Sequence, residues 1–89
     1  MRFEWDNKKS ETNQAKHGIS FLETTALFRS NHIKLDLPLV CDEARWLIIG
    51  KIEKKFYTGI FTVRNQKIRI ISVRHSRKEE EKHYEKYFK

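Results

Sequence analysis

The chain has 89 residues, with 19 Lys and Arg against 12 Asp and Glu, a formal net charge of +7 and a pI near 9.7. That length suits one domain, residues 1–89, and leaves no room for a second. A single cysteine, Cys41, excludes an internal disulfide or a cysteine metal site; no apolar run approaches the ~18 residues of a membrane span; and the Met-Arg-Phe-Glu-Trp start lacks a signal-peptide core, so a reducing cytoplasm is the expected setting.

In chain order, Phe3 and Trp5 flank Glu4 in the alternation of a short strand. Asp6 is placed to cap a helix running to about His17, with Gly18 as its left-handed stop. Ser20-Phe21-Leu22-Glu23 has the form of a capping box and opens a second helix. Phe21, Leu22, Ala26 and Leu27 or Phe28 give that helix an apolar face, and it ends near Ser30-Asn31. Ile33, Leu35 and Leu37 alternate with Lys34 and Asp36, a half-buried strand that Pro38 ends. Ala44–Ile52 and Phe56–Arg64 are strands joined by a turn at Glu53-Lys54-Lys55. Asn65-Gln66 turns the chain into Lys67–Arg74, and Ser76-Arg77-Lys78-Glu79 reads as a second capping box. It opens a C-terminal helix with Tyr84, Tyr87 and Phe88 on one stripe. The order β-α-α-β-β-β-β-α with short turns predicts an α+β fold around an antiparallel sheet. Helices are expected on one face and an open basic surface on the other.

The strongest chemical signal is Lys67–Lys78, a β-branched strand interrupted by Arg69 and Arg74 and running into a helix. Guanidinium is costly to bury without an anion, so the strand arginines have either phosphate or a glutamate, Glu43, Glu53 or Glu79, to meet. Strict alternation puts Arg69 and Arg74 on opposite faces unless a bulge intervenes. Of the two, Arg74 is the expected anion ligand, because the backbone N–H groups near Ser76 and Arg77 lie at a helix start. Arg45 points away from Trp46, and Arg64 ends the preceding strand. On the first helix, Lys9, Asn13, Lys16 and His17 share one side, either a solvated face or a rim for a phosphate backbone. His17 is an acid–base candidate by residue type, though a histidine at a helix end also serves as a simple dipole partner. His75 is a second acid–base candidate. Tyr84, Trp46 and Tyr57 suit either base stacking or the core. Gly50 and Gly59 mark bulges or close approaches. No metal-ligand cluster, Gly-rich phosphate loop or nucleophile elbow is present, so no cofactor is expected. RNA cleavage by its own 2′-hydroxyl needs only cations and a proton carrier, which this inventory supplies.

Phe3-Glu4-Trp5-Asp6, Lys9, Asn13, Lys16-His17-Gly18 and Ser20-Phe21 resemble the opening of BrnT-type toxins. Arg45-Trp46 with Gly50, then Arg69-Ile70-Ile71-Ser72-Val73-Arg74 and Arg77-Lys78-Glu79 with Tyr84, resemble the remainder, with two departures: Val73 stands where that family often has Ala, and the turn near Lys54-Lys55 lacks the glycine the resemblance leads one to expect. The resemblance implies a RelE-like ribonuclease toxin of a type II toxin–antitoxin system that inhibits translation. It implies neutralisation by a cognate dimeric BrnA-like antitoxin, whose ribbon-helix-helix-like domain alone contacts operator DNA. Lys16, His17, Arg45 and Arg74 are then the expected catalytic residues. Lys9, Asn13, Arg64, Arg69, Arg77 and Tyr84 are the expected RNA contacts. A non-catalytic nucleic-acid-binding module and a protein-interaction domain with a basic face are the alternatives.

Overall fold

The computed structural model describes residues 1–89, apart from the side chain of Val40. In chain order it comprises β1 (Phe3–Glu4), α1 (Asn7–His17), α2 (Phe21–Thr24), a 3-10 turn (Thr25–Phe28), β2 (His32–Val40), β3 (Glu43–Ile52), β4 (Lys55–Arg64), β5 (Lys67–His75) and α3 (Lys78–Tyr87). The five strands form one sheet in the order β1-β5-β4-β3-β2.

The expected antiparallel meander covers β2 to β5. β1 departs from it, pairing parallel with β5 through Phe3–Ile68 and Glu4–Arg69, so the sheet is mixed. The two helices between β1 and the meander let the chain return to β5 in that sense, as a parallel pair requires. Each hairpin turns through two residues in the left-handed region: Cys41 and Asp42, Glu53 and Lys54, Asn65 and Gln66. None is glycine, although two positive φ angles in a two-residue loop favour it. The turn expected to need glycine thus forms from Glu53 and Lys54, and Lys55 belongs to the next strand.

Asp6 caps α1 through Lys8 and Lys9 N–H, and Gly18 closes it at φ 74°. The Ser20–Glu23 capping box forms in both directions. The helix it opens lasts one turn before tightening to 3-10, and Leu22, expected on the apolar face, is 67% exposed. Ile19, Phe21, Leu27, Ile48, Phe61 and Val73 form the main core between these segments and one face of the sheet. Gly50 and Gly59 are close approaches rather than bulges. A Cβ at Gly50 would stand 3.1 Å from the Leu27 side chain, and one at Gly59 3.2 Å from Ile48.

The other face is not wholly open, as the sequence suggested. α3 crosses it from β5 towards β2: Glu80 bonds Arg74 and Thr58, while Tyr84 packs on Phe56 and its hydroxyl reaches the Asn31 carbonyl at 3.5 Å. α3 starts one residue later than the Ser76–Glu79 box predicts. Its cap is Arg77, whose N–H donates to the Glu80 carboxylate at 2.7 Å, and the Ser76 hydroxyl pairs instead with Thr58.

Candidate functional site

Two features of the strands create the site. The first is the bulge. Ile60 pairs with Ser72 but Phe61 with Ile70, so Ile71 is the extra residue on β5. It resets the alternation and puts Arg69, opposite Thr62, on the same face as Arg74, opposite Thr58. The second is the pairing register. Leu37 pairs with Arg45, Thr62 with Arg69 and Arg69 with Glu4, and Arg45 lies one step beyond the Trp46–Phe61 pair, opposite Thr62. Arg45 and Arg69 therefore flank Thr62, which is 1% exposed and donates to the Ala44 carbonyl. Trp46 stacks on Phe61 in the main core, which is why Arg45 faces the other way.

Glutamates hold these arginines. The Glu43 carboxylate accepts from Arg64 Nε at 2.7 Å and from Arg45 at 3.5 Å, and Glu4 accepts from Arg69 at 3.1 Å. Arg64, with Arg45 beside it, holds the Glu43 carboxyl below the usual carboxylate range. Arg45 Nε is buried without a hydrogen-bond partner. Ion pairs this exposed contribute about 0–1 kcal/mol, so a phosphate that accepts from two guanidiniums can displace the glutamates at small cost.

Arg74 is held differently. Its guanidinium donates to both Glu80 oxygens, at 2.7 and 2.9 Å, and Glu80 also accepts from Thr58 Oγ1 and Arg77 N–H. Arg74 lowers the Glu80 carboxyl to about 2. This side-chain pair, 28% and 16% exposed, fastens α3 to the sheet. The structure thus gives Arg74, the anion ligand expected from sequence, a partner within the fold.

Along the outer edge of β5, beyond the short β1, α1 forms a second wall. Lys9, Thr12, Lys16 and His17 face Ile71 and Ser72 across a cleft of about 300 Å³. Lys9 and Ile71 also line the adjoining pocket of Arg45, Arg64 and Arg69, so the two are continuous. Asn13, grouped with these cations by spacing, is buried and used by the backbone. It donates to the Ile19 carbonyl at 3.1 Å and accepts from Val73 N–H at 3.3 Å, closing the free edge of β5.

Of the sequence-predicted residues, Lys9, Lys16, His17, Arg45, Arg64 and Arg69 line one continuous cleft. Arg74, Arg77 and Tyr84 gather instead around α3. His75 stacks on Tyr57 against the core side, 4.9 Å between rings. Of the glutamates the sequence offered as ion-pair partners, Glu43 takes that place with Arg45 and Arg64, whereas Glu4 and Glu80, the partners of Arg69 and Arg74, were missed. Glu4 and Glu43 occupy strand positions of the same face, a signal that the pairing register makes readable.

A family model described as the ribonuclease toxin, BrnT, of type II toxin–antitoxin systems matches residues 5–80, a span that holds the whole arginine cluster and ends on Glu80. A search of curated proteins found no match. With most of its length matched, the chain belongs to the BrnT family of ribonuclease toxins.

Proposed function

We propose that this BrnT-family chain is a RelE-like endoribonuclease that cleaves RNA along the cleft between α1 and the open part of the sheet, without a metal ion, and so inhibits translation until a cognate antitoxin covers it. The observation that carries the reading is the convergence of Arg45, Arg64 and Arg69 on one sheet face beside Lys9, Lys16 and His17.

The chemistry follows from charge and reach. The RNA 2′-oxygen attacks the adjacent phosphorus, the P–O5′ bond breaks, and a 2′,3′-cyclic phosphate and a 5′-hydroxyl remain. Arg45, Arg64 and Arg69 bind the scissile phosphate and stabilise its added negative charge. Glu43 is the carboxylate that bonds two of them, Arg45 and Arg64. Once phosphate takes its arginines, its proton affinity rises and it accepts the 2′-hydroxyl proton, while water protonates the leaving 5′-oxygen. His17 lies eight residues beyond Lys9, about 12 Å along the helix axis. Lys16 and His17 therefore hold the neighbouring stretch of backbone rather than the same phosphate. A cluster of guanidiniums repels a divalent cation, which supports a metal-free route.

Purified protein should cleave RNA in excess EDTA and leave DNA of the same sequence intact. Arg45→Ala should lower kcat by a hundredfold or more, and His17→Ala should mainly raise KM. Activity that chelator abolishes and magnesium restores would overturn the metal-free route. Intact RNA under all conditions would overturn the ribonuclease reading.

A further inference from the structure

The part of the sheet face that α3 leaves uncovered is not uniformly basic. α3 lies over Ile33 and Ile49, which are 7% and 1% exposed, and over Thr58. The next cross-strand row is Leu35, Leu47 and Ile60, aligned by the pairs Leu35–Leu47 and Leu47–Ile60, and it ends at Ser72 on the rim of the α1 cleft. Leu35 is 39% exposed, and Leu47 and Ile60 are half-buried. The row after that holds Arg45 and Arg69, with Arg64 beyond it. An apolar row thus lies between a docked helix and an arginine row. RNA phosphates have no use for it.

Its dimensions fit one kind of occupant. Rows two residues apart are about 6.6 Å apart along a strand, and a helix is about 10 Å across. A helix laid beside α3 therefore spans the leucine row and reaches the arginine row. α3 itself crosses these strands with ten residues, so a segment of about that length spans the same strands. A second copy of this chain would bring arginine row against arginine row.

We infer that this face is the docking site of the antitoxin, and that the occupant is an amphipathic helix. Its apolar stripe sits on Leu35, Leu47 and Ile60, and its carboxylates replace Glu43 and Glu4 on Arg45, Arg64 and Arg69. The inference rests on the toxin reading for the partner's existence, and it states how that partner inhibits: it occupies the phosphate site directly. Apolar burial makes the complex outlast salt that disrupts RNA binding.

The test uses the full chain with the protein encoded by the adjacent reading frame. Leu35→Gln and, separately, Leu47→Gln should weaken that complex tenfold or more. Leu35→Gln should leave RNA cleavage by the free chain unchanged, and Leu22→Gln, on the other side of the molecule, should leave the complex unchanged. Hydrogen exchange should slow in β3 and β4 on binding. Should Leu47→Gln fail to fold, Leu35→Gln and the exchange data still decide. Unchanged affinity in Leu35→Gln, protection confined to α1, or a self-dimer that Leu35→Gln dissolves would each overturn the inference. A chain that binds its partner through these residues but cleaves no RNA would sink the ribonuclease reading and leave the docking surface standing.

Discussion

Arg69 and Arg74 lie on one strand and one face, yet their partners give them different tasks. Arg69 makes a single 3.1 Å contact to Glu4, whereas Arg74 is gripped at both ends by Glu80. Glu43 stands between Arg45 and Arg64, and a neutral isostere there separates holding from chemistry. Glu43→Gln should tighten RNA binding several-fold, because one negative charge leaves the cluster, and lower the single-turnover rate a hundredfold or more. A purely structural Glu43 would instead show lowered melting temperature with an unchanged rate per folded molecule. Asn13 shows what residue spacing hides. Helical periodicity groups it with Lys9, Lys16 and His17, but it cannot tell an amide turned to a sheet edge from one turned to solvent. Asn13→Ala strands the Ile19 carbonyl and the Val73 N–H, buried groups worth roughly 1–3 kcal/mol each. In a chain this small that loss should lower the melting temperature by about 10 °C or more. Lys9→Ala and Lys16→Ala, both exposed, should move it by only a degree or two.

At the scale of elements, strands and helices were readable from the chain because alternation and caps are local. The Ser20 box and the Asp6 cap formed where the pattern put them. What failed was set by distant partners. The Ser76 box slid by one residue because Thr58, eighteen positions away, takes the Ser76 hydroxyl. The Ile71 bulge is invisible in a run of β-branched residues, yet it decides that Arg69 and Arg74 share a face. The docking of α3 on that face has a testable pH signature. Arg74 pulls the Glu80 carboxyl from its ordinary 4.5 to about 2. A depressed carboxyl contributes stability above its unfolded value, and that contribution is lost as pH falls from about 4.5 towards 2. Discounted for partial solvent screening, the contribution is roughly 1–2 kcal/mol. Urea unfolding should therefore show a stability loss between pH 5 and pH 2.5, and Glu80→Gln should be less stable at pH 7 and flatter over that window. An equally steep acid loss in Glu80→Gln would assign the effect to other carboxylates.

For the molecule as a whole, the net charge of +7 was legible at once, but its placement was not. Arginines scattered over three strands and lysines on one helix meet only because β5 has a free edge beyond the two-residue β1, and α1 lies along it. The strands thereby bring positions 45, 64 and 69 beside position 9, while Arg77 and Tyr84 go with α3. Salt separates the two groups. If RNA meets Lys9, Lys16, Arg45, Arg64 and Arg69, binding of a single strand should weaken with salt at a log–log slope of about −3.5, since each phosphate contact contributes about −0.7. Arg45→Ala or Lys9→Ala should reduce the slope by about that one increment. Arg77→Ala, outside the cleft, should leave it unchanged although it removes the same charge. Titrations of a catalytically silenced Glu43→Gln chain with a short single-stranded RNA, from 50 to 300 mM salt, measure all three. An equal change in slope for Arg77→Ala would mean that RNA responds to net charge alone and that the cleft is not its path.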